Sequence, residues 1–126
     1  MKDLVLLTSP ETPYFPEIRC YYNSAECRIM GESYMEDARK FYNPITEWIQ
    51  QMLESEGKIK LSVRLIYFNT STSRTLLQML KMLALYRQKG ANIQIEWSYP
   101  AEDPDLKNDI EDLCQEAGID AHLIPM

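Results

Sequence analysis

The residues of this chain whose types and spacing suit chemistry stand together: Asn69, Thr70, Ser71, Thr72 and Ser73, after the apolar run ending in Tyr67-Phe68 and before Arg74. A strand pattern changes into a helix pattern through five consecutive small polar residues. The first N–H groups of a helix lack partners inside it, and the helix dipole is positive at that end. A phosphate, bound or covalent, is therefore stabilised there. Asn69 suits capping of the turn, and Ser71 and Thr72, with Ser73 beside them, suit hydrogen bonding to a phosphate's oxygens. Phosphorylation would add a charge of about -1.5 to -2, able to fold back onto the amides and to repel a partner docked on the helix that follows. Ser, Thr and Asn are also the commonest helix caps, so chemistry alone singles out no one hydroxyl.

The elements that must position this junction are read from periodicity. Residues 17–22 and 26–30 alternate in polarity around Asn23, Ser24 and Ala25, which predicts an antiparallel hairpin closed by Gly31. Phe41, Ile45, Trp48, Ile49, Met52 and Leu53 then recur at helical spacing. Pro44 leaves two readings of that helix: Asn43 caps it with Pro44 at its first position, or a longer helix starts near Glu36 and kinks. Gly57 ends it in both. Residues 59–68 predict a central strand, covered more completely toward its C-terminal end. A second helix runs from Thr72 to about Lys89, with Leu76, Leu77, Leu80, Leu83 and Ala84 on one arc and Gly90 as its stop. Residues 92–98 alternate as a strand. Asp103 and Pro104 open a third helix that Gly118 closes, and residues 121–124 make a last short strand.

The resulting order, ββαβαβαβ, predicts an α/β fold: a mixed, mostly parallel sheet with an N-terminal antiparallel hairpin and helices packed on it. With 126 residues, 45% hydrophobic and 25% charged, there is material for one domain, placed at residues 14–126 behind a loosely attached segment of residues 1–13. No stretch approaches the roughly 20 apolar residues of a membrane span, and the N-terminal apolar run is too short for a secretory signal, so the expected location is cytoplasmic. Thirteen basic residues against nineteen acidic ones give a net charge of -6, which disfavours nucleic acid. Cys20, Cys27 and Cys114 fit neither a disulfide framework nor a zinc site and read as reduced core residues, the first two on paired strands. His122 has no second ligand or carboxylate pattern near it, so no metal and no cofactor are expected. Glu102, Asp103 and Asp105 are accounted for by capping.

Two further groups are candidates for contact with a partner. Met79, Met82 and Tyr86 widen the apolar sector of the second helix, next to Arg74 and the polar junction; packing on a neighbouring helix explains the same residues. Gly31, Glu32, Ser33 and Tyr34 join the hairpin to the first helix, where Gly31 and Ser33 also suit a structured turn.

The run LIYFNTSTSRTLLQML at residues 65–80, together with GESY at 31–34 and the helix around residues 41–53, resembles the SiaC family over about residues 13–124. That family is similar to the STAS domains of anti-sigma factor antagonists, in which a serine or threonine at this strand-to-helix junction is phosphorylated. The family's pattern is NTSS; here it reads NTST, with Thr72 in place of the second serine. The resemblance implies a STAS-like fold with Thr70 as the phosphoacceptor. It further implies partner switching: a serine/threonine kinase of the anti-sigma-factor type modifies the protein, a PP2C-like phosphatase reverses this, and the unmodified form activates a diguanylate cyclase in cyclic di-GMP signalling and biofilm regulation. The competing expectation is a module that holds an anion or nucleotide reversibly at the same helix start, although GxGxxG and GxxxxGK[ST] are both absent. No nucleophile–base pair is legible, so an enzyme is not expected.

Overall fold

The computed structural model describes residues 1–126, in the order β1 (Leu4–Leu6), β2 (Glu17–Tyr21), β3 (Glu26–Ser33), α1 (Ala38–Glu56), β4 (Lys58–Phe68), α2 (Thr70–Gln88), β5 (Asn92–Tyr99), α3 (Pro104–Ala117) and β6 (His122–Pro125). The six strands lie side by side in chain order. β1, β2 and β3 pair antiparallel, and β3 through β6 pair parallel, each joined to the next by a helix. Crossovers of one hand between sequential neighbours bring all three helices to the same face of the sheet.

Burial follows that asymmetry. Ile18 and Cys20, Cys27 and Ile29, Ile59 through Leu65 at every second residue, and Ile93, Ile95 and Trp97 are buried beneath the helices. The alternate residues, among them Arg19, Arg28, Lys60 and Glu96, lie on the helix-free face, where Lys60 and Glu96 pair at 3.4 Å. Each buried aliphatic side chain contributes about 1.5–3 kcal/mol, so a one-residue slip of any strand would be strongly disfavoured.

The sheet differs from the sequence expectation at its first edge. Residues 1–13 are not merely a loose lead-in, because Leu4 and Leu6 lie opposite Cys20 and Ile18 as a sixth strand. Asp3 Oδ1 accepts from the Tyr22 amide at 2.8 Å, and the Trp48 indole N–H donates to the Lys2 carbonyl at 2.8 Å. A three-residue strand is too short to show a period, which is why the segment reads as unpatterned.

Two other expectations are corrected, and a choice left open is decided. Gly31 does not close the hairpin: β3 continues through it to Ser33 at φ +115, a backbone conformation that favours glycine. Of the two readings of α1, the longer helix is the one formed, starting at Ala38 with Asp37 as cap and carrying Pro44 on its exposed side. Coverage of β4 falls rather than rises toward its C-terminal end. A bulge pairs Gly31 with Leu65 but Glu32 with Tyr67, so Ile66 is the extra residue. The bulge turns Leu65 and Phe68 inward, three apart, and leaves Ile66 and Tyr67 both exposed, beyond the point where pairing with β5 stops at Val63. Cys20 and Cys27 are cross-strand partners as expected, and their hydrogen bond together with burial pushes the Cys27 thiol well above its ordinary range.

Candidate functional site

Two strand ends and two helix starts meet at the polar junction. The β3–β4 ladder runs to its last pair, Ser33 opposite Phe68, and one further bond, from the Asn69 amide to the Ser33 carbonyl at 3.1 Å, fixes where the chain leaves the sheet. Asn69 is the cap of α2. Its Oδ1 accepts from the Thr72 amide at 3.0 Å, while its Nδ2 donates to the Met35 carbonyl at 3.0 Å, so the cap also ties α2 to the connection ahead of α1. The helix starts two residues earlier than its apolar period suggests, which makes Thr70 its first residue.

The four consecutive hydroxyls have four different surroundings. Thr72 is 0% exposed and sits in a buried relay. The Tyr42 hydroxyl donates to Ser33 Oγ at 3.0 Å, Ser33 Oγ and Thr72 Oγ1 are 2.8 Å apart, and Thr72 Oγ1 donates to the Ser33 carbonyl at 3.0 Å. Burial pushes the Tyr42 hydroxyl above the ordinary tyrosine range, so it stays protonated and available as a donor. Ser71 Oγ bridges the two helix starts, donating to the Glu36 carbonyl at 2.9 Å and accepting from the Ala38 amide at 3.1 Å. Ser73 is half-buried beside α3 and forms no side-chain hydrogen bond. Thr70 is exposed, and its hydroxyl is likewise uncommitted.

Thr70 occupies the ridge between two hollows of opposite character. On one side, a cleft of about 490 Å³ between α1 and α2 is bordered by Glu36, Asp37, Arg39, Asn43, Ser71 and Arg74. On the other, a groove toward α3 is bordered by Asp109, Asp112 and Glu116, which share one helical face.

The other sequence candidates are distributed unevenly around this centre. Arg74 is exposed and lines the cleft with Thr70. Met79 is 2% exposed and closes the cleft floor, and Tyr86 is tied to α1 by donating to Glu54 at 2.8 Å and accepting from Gln50 at 3.2 Å. Met82 is half-buried against the core. The wide apolar sector of α2 is therefore used in packing, which removes Met79 from any accessible surface, as the buried hydroxyl relay removes Ser33. Within GESY, Ser33 is structural, Gly31 and Glu32 form the bulged pairing, and Tyr34 is exposed. Sequence reasoning missed Ile66 and Tyr67. Tyr67, 51% exposed, meets Tyr34 edge-on at 5.7 Å, and Tyr34 meets Tyr14 at 6.0 Å, an exposed aromatic row beside the junction. The pairing shift at Gly31 that exposes it has no counterpart in hydropathy. Arg39 was missed as well, because it reaches the site only through the packing of α1.

Comparison with known proteins identifies the family and the fold. The model of the SiaC family of regulatory phosphoproteins matches residues 9–126. An uncharacterized protein of Pseudomonas aeruginosa (strain UCBPP-PA14) is 25% identical over 91 residues, covering 71% of this chain and 72% of that protein. Apo-SiaC from Pseudomonas aeruginosa superposes with a TM-score of 0.85 at 22% identity, over 98% of this chain and 99% of that one. The crystal structure of the diguanylate cyclase SiaD in complex with its activator SiaC, from the same organism, gives a TM-score of 0.89 at 19% identity, over 98% and 100% of the two chains. The six-stranded mixed sheet with three helices is thus the SiaC fold, and no helix here is long and apolar enough to cross a membrane. With its family model matched over nearly its whole length, the chain belongs to the SiaC family of regulatory phosphoproteins.

Proposed function

We propose that this chain is a cytoplasmic phosphoprotein switch, reversibly phosphorylated on Thr70 by a serine/threonine kinase of the anti-sigma-factor type and restored by a PP2C-like phosphatase. Its unmodified form binds and activates a signalling target such as a diguanylate cyclase. The observation that carries this reading is the division of labour among the hydroxyls: Thr72 and Ser71 are committed to internal hydrogen bonds, while Thr70 is exposed, unbonded and first in its helix. A phosphate there meets unpaired amides and the positive end of the helix dipole, worth about 0.3–1 kcal/mol at an exposed site. Support for the target comes from the SiaC of Pseudomonas aeruginosa, which is described as the activator of a diguanylate cyclase.

Phosphopeptide mass spectrometry on protein from its native host tests the modification. A single dominant phosphosite at Thr70 is the expected result, and unmodified Thr70 while the cognate kinase is active refutes it. Thr70→Asp should weaken binding to the target, less than phosphate does because its charge is smaller.

The cleft beside Thr70 favours one second reading, a site that holds a free anion reversibly between Arg39 and Arg74. Calorimetry of the Thr70→Val variant with inorganic phosphate and nucleotides separates the two: saturable binding supports this reading, and its absence leaves the covalent switch.

A further inference from the structure

We propose that Arg39 and Arg74 form a clamp that draws the phosphate on Thr70 into the cleft between α1 and α2. This deepens the switch reading and rests on Thr70 as the modified residue. The three ion pairs of the chain engage Arg19, Arg28 and Lys60, which leaves both clamp arginines without a carboxylate partner, and neither donates a hydrogen bond to any other group. Arg74 lies four residues beyond Thr70 on α2, one turn along the same face. Arg39 is delivered from α1 by the double contact of Ser71 with Glu36 and Ala38, so it stands one residue from a hydrogen bond that pins the two helices together. Both line the cleft that Thr70 borders. An unpaired guanidinium presents a planar fork of donors that fits phosphate oxygens, and two of them offset the charge of one phosphate.

The opposite side of the ridge makes the direction of the phosphate decisive. A phosphate turned toward α3 meets Asp109, Asp112 and Glu116 with no basic residue in that groove. On the cleft side the acidic groups are Glu36, which is exposed and unbonded, and Asp37, whose carboxylate is engaged by the Lys40 amide at 3.2 Å. Three carboxylates and no cation border the groove, whereas the cleft sets two guanidinium groups beside its two carboxylates, so charge favours the cleft side. The unmodified form presents two open cations in the cleft; the modified form presents none.

The test uses the full chain with phosphothreonine installed at position 70 by genetic incorporation, so its result does not depend on the kinase. The second ionisation of that phosphate is followed by phosphorus NMR, in the parent chain and in Arg39→Ala/Arg74→Ala. Free phosphothreonine titrates near pH 6. The expected result is a titration shifted down by about one pH unit or more in the parent, with at least half of the shift lost in the double variant. An unshifted or upward-shifted titration in the parent overturns the clamp. A downward shift that survives the double variant also overturns it, because the helix amides alone would then hold the phosphate. Should the double variant not fold, the single variants are read in the same way, each expected to lose part of the shift. Failure of the Thr70 reading shows instead as missing phosphate in native protein, and the two failures are distinct.

Discussion

Replacing Thr72 with valine tests the claim that adjacent hydroxyls of this junction do different work. The substitution keeps the branched shape and removes one buried hydroxyl. Tyr42 donates to Ser33 Oγ, so the proton of Ser33 points to Thr72 Oγ1, and the proton of Thr72 points to the Ser33 carbonyl. Without Thr72 Oγ1, the Ser33 carbonyl keeps the Asn69 amide at 3.1 Å, but the Ser33 hydroxyl is left with Met35 Sδ at 3.6 Å, a weak acceptor. A buried donor left poorly satisfied costs about 1–3 kcal/mol. Taking about 2 kcal/mol, and an unfolding entropy of about 2.1 cal/mol/K for each residue, the melting temperature should fall by roughly 7–8 °C. Thr70→Val, at an exposed unbonded position, should stay within about 0.5 kcal/mol, or roughly 2 °C. Scanning calorimetry of both variants reads the contrast directly. Equal losses in the two, or no loss in Thr72→Val, would refute the assignment. A cycle with Ser33→Ala goes further. That change alone leaves the Tyr42 hydroxyl without its acceptor, so the double variant should depart from additivity by about 1 kcal/mol. Strict additivity would mean that the three hydroxyls do not act as a relay.

Asn69→Ala removes a helix cap and the tie to Met35 together; about 2–3 kcal/mol of destabilisation is expected by urea titration, and a loss under 1 kcal/mol would contradict the double role. Deleting residues 1–6 should shift tryptophan emission to the red, because Trp48 loses the Lys2 carbonyl and its cover, whereas an unchanged spectrum would show that β1 contributes no shelter. The pH dependence follows from four acids whose folded-state titration is raised: Tyr42 and Cys114 by burial first, Cys27 by its hydrogen bond to Cys20 first, and the exposed Tyr22 by its hydrogen bond to Glu56 first. Above the unfolded values of 9.0 for the thiols and 10.0 for tyrosine, the folded chain holds protons that the unfolded chain has released. Their contribution is therefore complete below about pH 9 and is lost as pH rises beyond it. Urea midpoints measured from pH 7 to 11 should fall on the alkaline side, less steeply in Tyr42→Phe above pH 10; a midpoint that rises with pH would reverse the sign of the argument.

Much of the fold is legible in the sequence because its elements carry their own punctuation. Asp103 and Pro104 open α3 as read, with Asp103 accepting from the Leu106 amide at 3.0 Å, and Gly57 and Gly118 end their helices in the left-handed conformation. What sequence misses is set by pairing rather than by side-chain pattern. The bulge at Gly31 is a property of two strands together, so the run Leu65-Ile66-Tyr67-Phe68 looks doubly buried while its middle two residues face solvent. The strand at Leu4–Leu6 exists only because β2 is there to receive it.

The site illustrates the same limit more sharply. Residues in a helix are set about 100° apart, so four consecutive hydroxyls fan around nearly the whole circumference. With Thr70 taken as the origin, Ser71 turns one way toward α1, Thr72 turns inward to β3, and Ser73 comes round on the other side toward α3. Only Thr70 lies between the two flanks, and for that reason it borders both the arginine cleft and the acidic groove. In the sequence the four are equivalent candidates; the resemblance to a family selects one of them, and packing supplies an independent reason for the same choice. That reason would fail if any neighbour of Thr70 could be modified without first breaking an internal bond. Ser73 is the residue to watch, since it too is unbonded, but it is half-buried and opens onto three carboxylates. A phosphate placed there would gain the helix dipole and lose more to repulsion, so modification of Thr70→Val protein at Ser73 should be absent even with excess kinase, and its appearance would show that access rather than charge chooses the acceptor.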